Sequence, residues 1–165
     1  MSSALLHKIS YQIATFLSIG RLPKMPGTWA TLATIPVVMG AQALGPFFYM
    51  GLTFFLLFIG AMACEVVEAQ SGDHDSGHLV IDEVVGFLIT MTWLPITWQS
   101  FVFGFVFFRM LDIAKPFPIS FLDRRVKGGL GVMVDDVAAG ILANVVLQVI
   151  YTKTSWLGVQ MVNLS

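Results

Sequence analysis

The stretch from Val84 to Phe108, VVGFLITMTWLPITWQSFVFGFVFF, decides how this chain folds. Read as one element, it is a single long apolar helix kinked at Pro95. Read as two, Leu94–Trp98 is a turn and the stretch is a helical hairpin whose helices extend into both flanks. Pro95 forbids a regular i→i−4 bond at that point, and Trp93 and Trp98 are typical of a membrane–water interface. The hairpin is the preferred reading, because it returns Arg109 to the side of Glu83. The charged windows on either flank then share one face.

Those two windows hold all the acids of the chain. Glu65 to Glu83 contains six of the ten carboxylates, and Arg109 to Gly140 contains the other four with five of the nine Lys and Arg. No acid occurs in 1–64 or 137–165. Of the 165 residues, 56% are hydrophobic and 12% charged, with a mean hydropathy of +0.81. Soluble domains carry about 25% charged residues, so this is the composition of a single membrane domain, 1–165, with no second domain. A net charge of −1 provides no basic field and argues against a nucleic-acid partner. The lone Cys64 has no internal disulfide partner and reads as a small buried residue. No cleavable signal peptide is expected, since MSSALLHKISYQ lacks a continuous apolar core after its first charge.

Outward from the hairpin, 46–64 is an uncharged span long enough to cross roughly 30 Å of hydrocarbon. Residues 5–19 have the spacing of an amphipathic helix suited to the interface, with Lys8 among headgroups. Residues 20–28 break helix structure, and Thr28 is expected to N-cap a marginal helix over 29–45 that Pro36 interrupts. Residues 132–151 form a last apolar helix beginning with Asp135 and Asp136. Its face of Asp136, Ala139, Gly140 and Ala143 is small enough for a neighbouring helix to approach closely. Arg109, Lys115, Arg124, Arg125 and Lys127 crowd one short loop, so the positive-inside rule places that loop, and the acidic window with it, in the cytoplasm.

Carboxylates beside buried segments are normally paired with cations or a metal. Without matching Cys or His sets they favour a hard ion, Mg²⁺ or Mn²⁺. A hard cation beside Arg and Lys is the apparatus of phosphoryl chemistry. Each feature also has a plainer reading. Asp135 and Asp136 would serve as helix caps, Asp82 and Glu83 as an exposed helix start, and the basic residues as topology determinants or headgroup contacts. Arg109, Asp112 and Lys115 would form a structural ion-pair ladder. His74 and His78 read as loop histidines, and Gly128, Gly129 and Gly131 as a flexible turn or a weak phosphate nest.

Five blocks in order, however, carry a specific resemblance: PGT at Pro26–Thr28; His74–Asp75 followed by Gly77; IDEVVG at Ile81–Gly86; FRMLDIAKPFPI at Phe108–Ile119; and LDRRVKGGLGVMVDDVAAG at Leu122–Gly140. Together they run from about residue 20 to 143, and the sequence resembles the bacterial phosphatidylglycerophosphatase A family. The family commonly has Gly where this chain has Ala30. The resemblance implies an all-α, compact multi-helix bundle embedded in the bacterial inner membrane as a multi-pass protein, its charged site loops at the cytoplasmic face. It implies a phospholipid substrate and Mg²⁺-dependent hydrolysis of phosphatidylglycerophosphate to phosphatidylglycerol, the last step in that lipid's synthesis. Asp82, Glu83, Asp135 and Asp136 are then expected to hold Mg²⁺, with Asp75 and Asp112 in or beside the coordination sphere. Arg109, Lys115 and Arg124, with Thr28 and His74, are expected to meet substrate phosphate. Water is the favoured nucleophile, with one of the acids as its base; a covalent route through Asp82 or Asp112 stays open.

Two other membrane classes fit less well. A CDP-alcohol phosphotransferase needs an Asp-Gly dipeptide, and the chain has none. A cation channel or transporter would distribute acids along its spans, whereas the span 46–64 has no acid.

Overall fold

The computed structural model describes residues 3–71 and 77–159. They form seven α-helices, with no strand among the described residues: α1 (Ser3–Ala14), α2 (Pro26–Ala43), α3 (Pro46–Ser71), α4 (Ile81–Thr90), α5 (Trp98–Ala114), α6 (Ile119–Arg125) and α7 (Gly129–Lys153).

The decisive stretch is a hairpin. α4 stops at Thr90, the chain turns through Met91–Thr97, and α5 restarts with the Thr97 hydroxyl capping Ser100 N–H at 3.1 Å. Pro95 sits in the turn, and Trp93 and Trp98 are 69% and 71% exposed at that end. The turn leaves carbonyls at the end of α4 without helical partners, and side chains from other helices satisfy them. Tyr49 of α3 donates to Leu88 O (2.6 Å) and Gln42 of α2 to Met91 O (3.0 Å). Asn144 of α7 donates to both Thr90 O and Thr92 O (2.8 Å each), and Gln148 adds a third bond to Thr92 O (3.0 Å).

α4 packs most extensively against α7. The two run side by side in the same direction, so Gly86 meets Gly140 one turn beyond the level of Asp82 and Asp136. A methyl group on Gly140 would fall on Gly86 O, and one on Gly86 would lie 2.8 Å from Asp136 O and 2.6 Å from the Phe108 ring. Backbone touches backbone here, which is the use of the small-residue face on α7. Phe87 and Phe108 are fully buried beside it, their rings 6.2 Å apart and inclined at 51°, an arrangement worth about 0.5–1.5 kcal/mol beyond burial. That packing fixes the height of the next residue on α5, Arg109.

Several expected boundaries shift. α1 ends at Ala14 rather than continuing to 19, because Phe16, Leu17 and Ser18 all adopt positive φ. α2 begins at Pro26, with Met25 rather than Thr28 in the N-cap position, and it continues through Pro36 without a break. Proline suits the first helical position because its missing N–H would have no partner there. α7 begins at Gly129, which puts Asp135 and Asp136 almost two turns inside the helix. They are not end caps. The basic loop contains a short helix, α6, that was not anticipated.

α3 and α7 are each long and apolar enough, over 25 residues, to cross a membrane. α3 leaves Phe47, Phe54, Phe55, Phe58 and Met62 more than half exposed. A soluble monomer rarely shows so continuous an apolar surface.

Candidate active site

The two charged windows converge at the end of the bundle opposite the Trp turn. The first turn of α4 carries Asp82 and Glu83, the end of α5 carries Arg109 and Asp112, and α7 delivers Asp136. One oxygen from each of Asp82, Glu83 and Asp136 can be chosen so that all three lie within 4.8 Å of one another. Asp136 is 2% exposed and Asp82 9%. Asp82 Oδ1, Glu83 Oε2 and Asp136 Oδ2 are buried and receive no hydrogen bond among the described residues.

Arg109 closes one side of this cluster. Its Nη1 lies 2.6 Å from Asp112 Oδ2 and 3.7 Å from Glu83 Oε1. Asp112 in turn lies against Asp136. The N-terminus of α2 covers the pair at Gly27: a methyl there would fall on Glu83 Oε1, 2.8 Å from Glu83 Cδ and 3.1 Å from Arg109 Nη1. Only glycine allows that approach, so the PGT block is a lid-like neighbour of the acids. Thr28, beside it, is partly exposed.

Burial, and after it the charges of Glu83 and Asp136, push the Asp82 carboxyl well above the ordinary carboxylate range. Burial also raises Glu83, against the opposing effects of its contact with Asp82 and the Arg109 charge. Four carboxylates against one guanidinium is an arrangement that protons or a cation must compensate. The donor set is all oxygen, which suits a hard divalent ion. The residues fit such an ion.

Lys115 and Asp135 occupy a different place from the one expected. Lys115 follows α5 with φ +40°, and its Nζ bridges Asp123 Oδ1 on α6 (2.7 Å) and Asp135 Oδ2 on α7 (2.6 Å). Burial works against its charge, but the two carboxylates outweigh it and hold the ammonium's pKa above the ordinary lysine value. Successive helical residues point about 100° apart, so Asp135 faces this clamp while Asp136 faces the acids. Asp135 thus lies outside the Asp82, Glu83 and Asp136 trio, and Lys115 is paired with protein carboxylates. The ladder Arg109–Asp112–Lys115 forms only in its first rung.

Arg124 is exposed on α6, where it shares a shallow depression of about 470 Å³ with Phe117, Ser120, Phe121 and Arg125. The Arg125 guanidinium lies over the Phe121 ring, 4.7 Å from its centroid. His74 and Asp75 lie outside the described residues. His78 pairs with Gly20 O (3.1 Å) and is remote in role from the cluster. Sequence reasoning missed Glu65, whose Oε2 accepts from Gly129 N–H at 2.6 Å. The position at the start of α7 that a phosphate nest would use is thus filled by the chain's own carboxylate.

An all-helical protein that gathers buried acids, an arginine and an adjoining basic helix at one end has the equipment of a phosphate-ester hydrolase. The family model of phosphatidylglycerophosphatase A matches residues 12–151. Phosphatidylglycerophosphatase A of Escherichia coli is 39% identical over 132 residues, covering 79% of this chain and 77% of that protein. The Haemophilus influenzae protein of the same name is 37% identical over 137 residues, covering 82% and 84%. A relative from Bacteroides thetaiotaomicron, provisionally named a phosphatidylinositol-3-phosphatase, is 32% identical over 83% of this chain and 90% of its own. No solved structure matches. The chain belongs to the phosphatidylglycerophosphatase A family and is a phosphatase acting on a phosphomonoester.

Proposed function

We propose that this chain is a single-domain, membrane-embedded enzyme that hydrolyses phosphatidylglycerophosphate to phosphatidylglycerol and inorganic phosphate in a Mg²⁺-dependent reaction. The observation that carries the reading is the trio of buried, undonated oxygens on Asp82, Glu83 and Asp136, in a chain whose relatives bear that enzyme's name. These three residues would hold the ion. When bound, it supplies Lewis-acid polarisation of the phosphate and acidification of water.

The chain's own residues do the rest. Arg109 Nε is buried with no acceptor among the described residues, and the Thr28 side chain stands partly exposed on the first turn of α2. Both are donors available to phosphoryl oxygens. Arg124, exposed on α6, is placed for the outer glycerol-phosphate. His74 and Asp75, in the segment between α3 and α4, belong to the same proposal as a phosphate contact and a further metal ligand. An acid of the cluster takes the proton of the attacking water. Lys115 and Asp135 act by holding α5, α6 and α7 in register.

The membrane reading rests on α3 and α7 as spans and on the exposed apolar face of α3. Exposed Arg124, Arg125 and Lys127 at the site end support an orientation in the inner membrane with that end facing the cytoplasm. The test is phosphate release from phosphatidylglycerophosphate by detergent-purified protein, with Mg²⁺ or EDTA, for wild type and Asp136→Asn. Release that requires Mg²⁺ and drops at least about 100-fold in a folded variant, roughly 2.7 kcal/mol, is the expected result. Release only from phosphatidic acid or a soluble phosphomonoester would keep the site and overturn the substrate. No release from any of them would overturn the reading.

A further inference from the structure

Binuclear phosphatases set two ions about 3.5–4 Å apart, bridged by shared carboxylates. A cluster containing Asp82, Glu83, Asp112 and Asp136, with Asp135 next in sequence, has enough acids for that arrangement. The geometry divides them otherwise. Asp82, Glu83 and Asp136 can bring one oxygen each within 4.8 Å of one another, and each has a buried oxygen, Asp82 Oδ1, Glu83 Oε2 and Asp136 Oδ2, that receives no hydrogen bond among the described residues. The other Glu83 oxygen, Oε1, and Asp112 Oδ2 both face Arg109 Nη1, at 3.7 Å and 2.6 Å. Glu83, the carboxylate placed to bridge two ions, thus spends its second oxygen on a guanidinium. Gly27 packs against this pair: a methyl there would lie 3.1 Å from Nη1. Asp135, the remaining acid close by in sequence, is tied to Lys115 at 2.6 Å.

We propose that the site holds a single divalent cation, and that the Arg109 guanidinium stands where a binuclear site would place the second. This rests on the metal-dependent reading above and goes further by fixing the number of ions and the reason for it. The four carboxylates among the described residues, one guanidinium and one divalent ion leave a single negative charge. A second ion would have to displace the Arg109 guanidinium.

The test uses the full chain in detergent and Mn²⁺ as the probe, with bound ions counted by equilibrium dialysis and their coupling read by electron paramagnetic resonance. Wild type is expected to bind one ion with an uncoupled six-line spectrum. Arg109→Gln, which frees Glu83 Oε1 and Asp112 Oδ2, is expected to bind two. Asp112→Asn is expected to stay at one, because Asp112 gives the ion no oxygen. Two coupled ions in wild type, or one ion in Arg109→Gln, would overturn the proposal. Should Arg109→Gln fail to fold, loss of binding in Asp112→Asn overturns it instead. Wild type that binds no Mn²⁺ at all would sink the metal-dependent reading itself, an outcome distinct from a count of two.

Discussion

Gly27→Ala is the smallest change that reaches the proposed chemistry without touching a charged group. The added methyl would fall on Glu83 Oε1 and lie 2.8 Å from Glu83 Cδ. Non-bonded contacts become favourable only near 3.5 Å, and the overlap with Oε1 is the more severe, so the Glu83 carboxylate must retreat by about 1 Å. α2 has little room to absorb the shift, because Ala30, Thr31 and Thr34 are fully buried over the next two turns and Gln42 ties its far end to Met91 O. A displacement near 1 Å in a catalytic constellation costs about 100-fold in rate, or roughly 2.7 kcal/mol, whereas overpacking at one helix end costs stability only about 1–2 kcal/mol. Phosphate release and thermal unfolding should therefore separate: kcat falls about 100-fold while the melting temperature moves by a few degrees. The double variant Gly27→Ala/Glu83→Asp removes one methylene and makes room for the methyl. Its loss relative to Glu83→Asp alone should be much smaller than the loss in the single variant, a coupling that the double-mutant cycle reads directly. Wild-type kcat in Gly27→Ala would refute the claim that the position of the Glu83 carboxylate matters to the reaction.

Other outcomes follow from the same geometry. Lys115→Met strands Asp123 and Asp135 without their cation; the pair is about a third exposed on the lysine side, so the cost should be about 1–3 kcal/mol, below that of a fully buried pair, and Lys115→Met/Asp135→Leu should recover part of it in chemical denaturation. Glu65→Ala removes the acceptor for Gly129 N–H and should cost about 1 kcal/mol as a lost helix cap, with kcat per folded molecule unchanged. In EDTA the protein should lose stability as pH rises. Asp82 holds its proton more tightly folded than unfolded, so its contribution is complete below the ordinary carboxylate range and is lost as pH climbs through the raised value. Thermal melts from about pH 5 to about pH 8 read this, and saturating Mg²⁺ should abolish or reverse the trend.

Features governed by local chemistry were legible in the sequence. Pro95 between two tryptophans marks the turn, and the turn alone brings Glu83 back beside Arg109. The charge-free run 46–64 marks α3, and the small residues after Asp136 mark a close crossing, met by Gly86. What escaped depends on partners far away in the chain. Asp135 and Asp136 look equivalent as neighbours, yet a rotation of about 100° between them sends one to Lys115 and the other to the acids. The side chain of Lys115 turns sideways because its backbone is left-handed at the end of α5, which nothing in KPFP announces. Glu65 opens the acidic window in the sequence, and its bond to the start of α7 shows only once the two helices are seen to meet. The start of α2 was legible but misassigned: proline at the first helical position outweighs threonine two residues later as a boundary signal.

The side-chain donors that close the end of α4 also set an order of assembly. Tyr49 and Gln42 precede the hairpin in the chain, but Asn144 and Gln148 follow it. A ribosome adding about 5–20 residues per second delivers Asn144 roughly 3–10 s after Thr92. Until then the carbonyls of Thr90 and Thr92 lack the donors that serve them in the finished fold, and in a bilayer such groups hold a segment at the water-exposed margin. Asp136 arrives on the same helix as Asn144. The helix that supplies the last donors to the hairpin carbonyls is thus the helix that completes the acidic cluster.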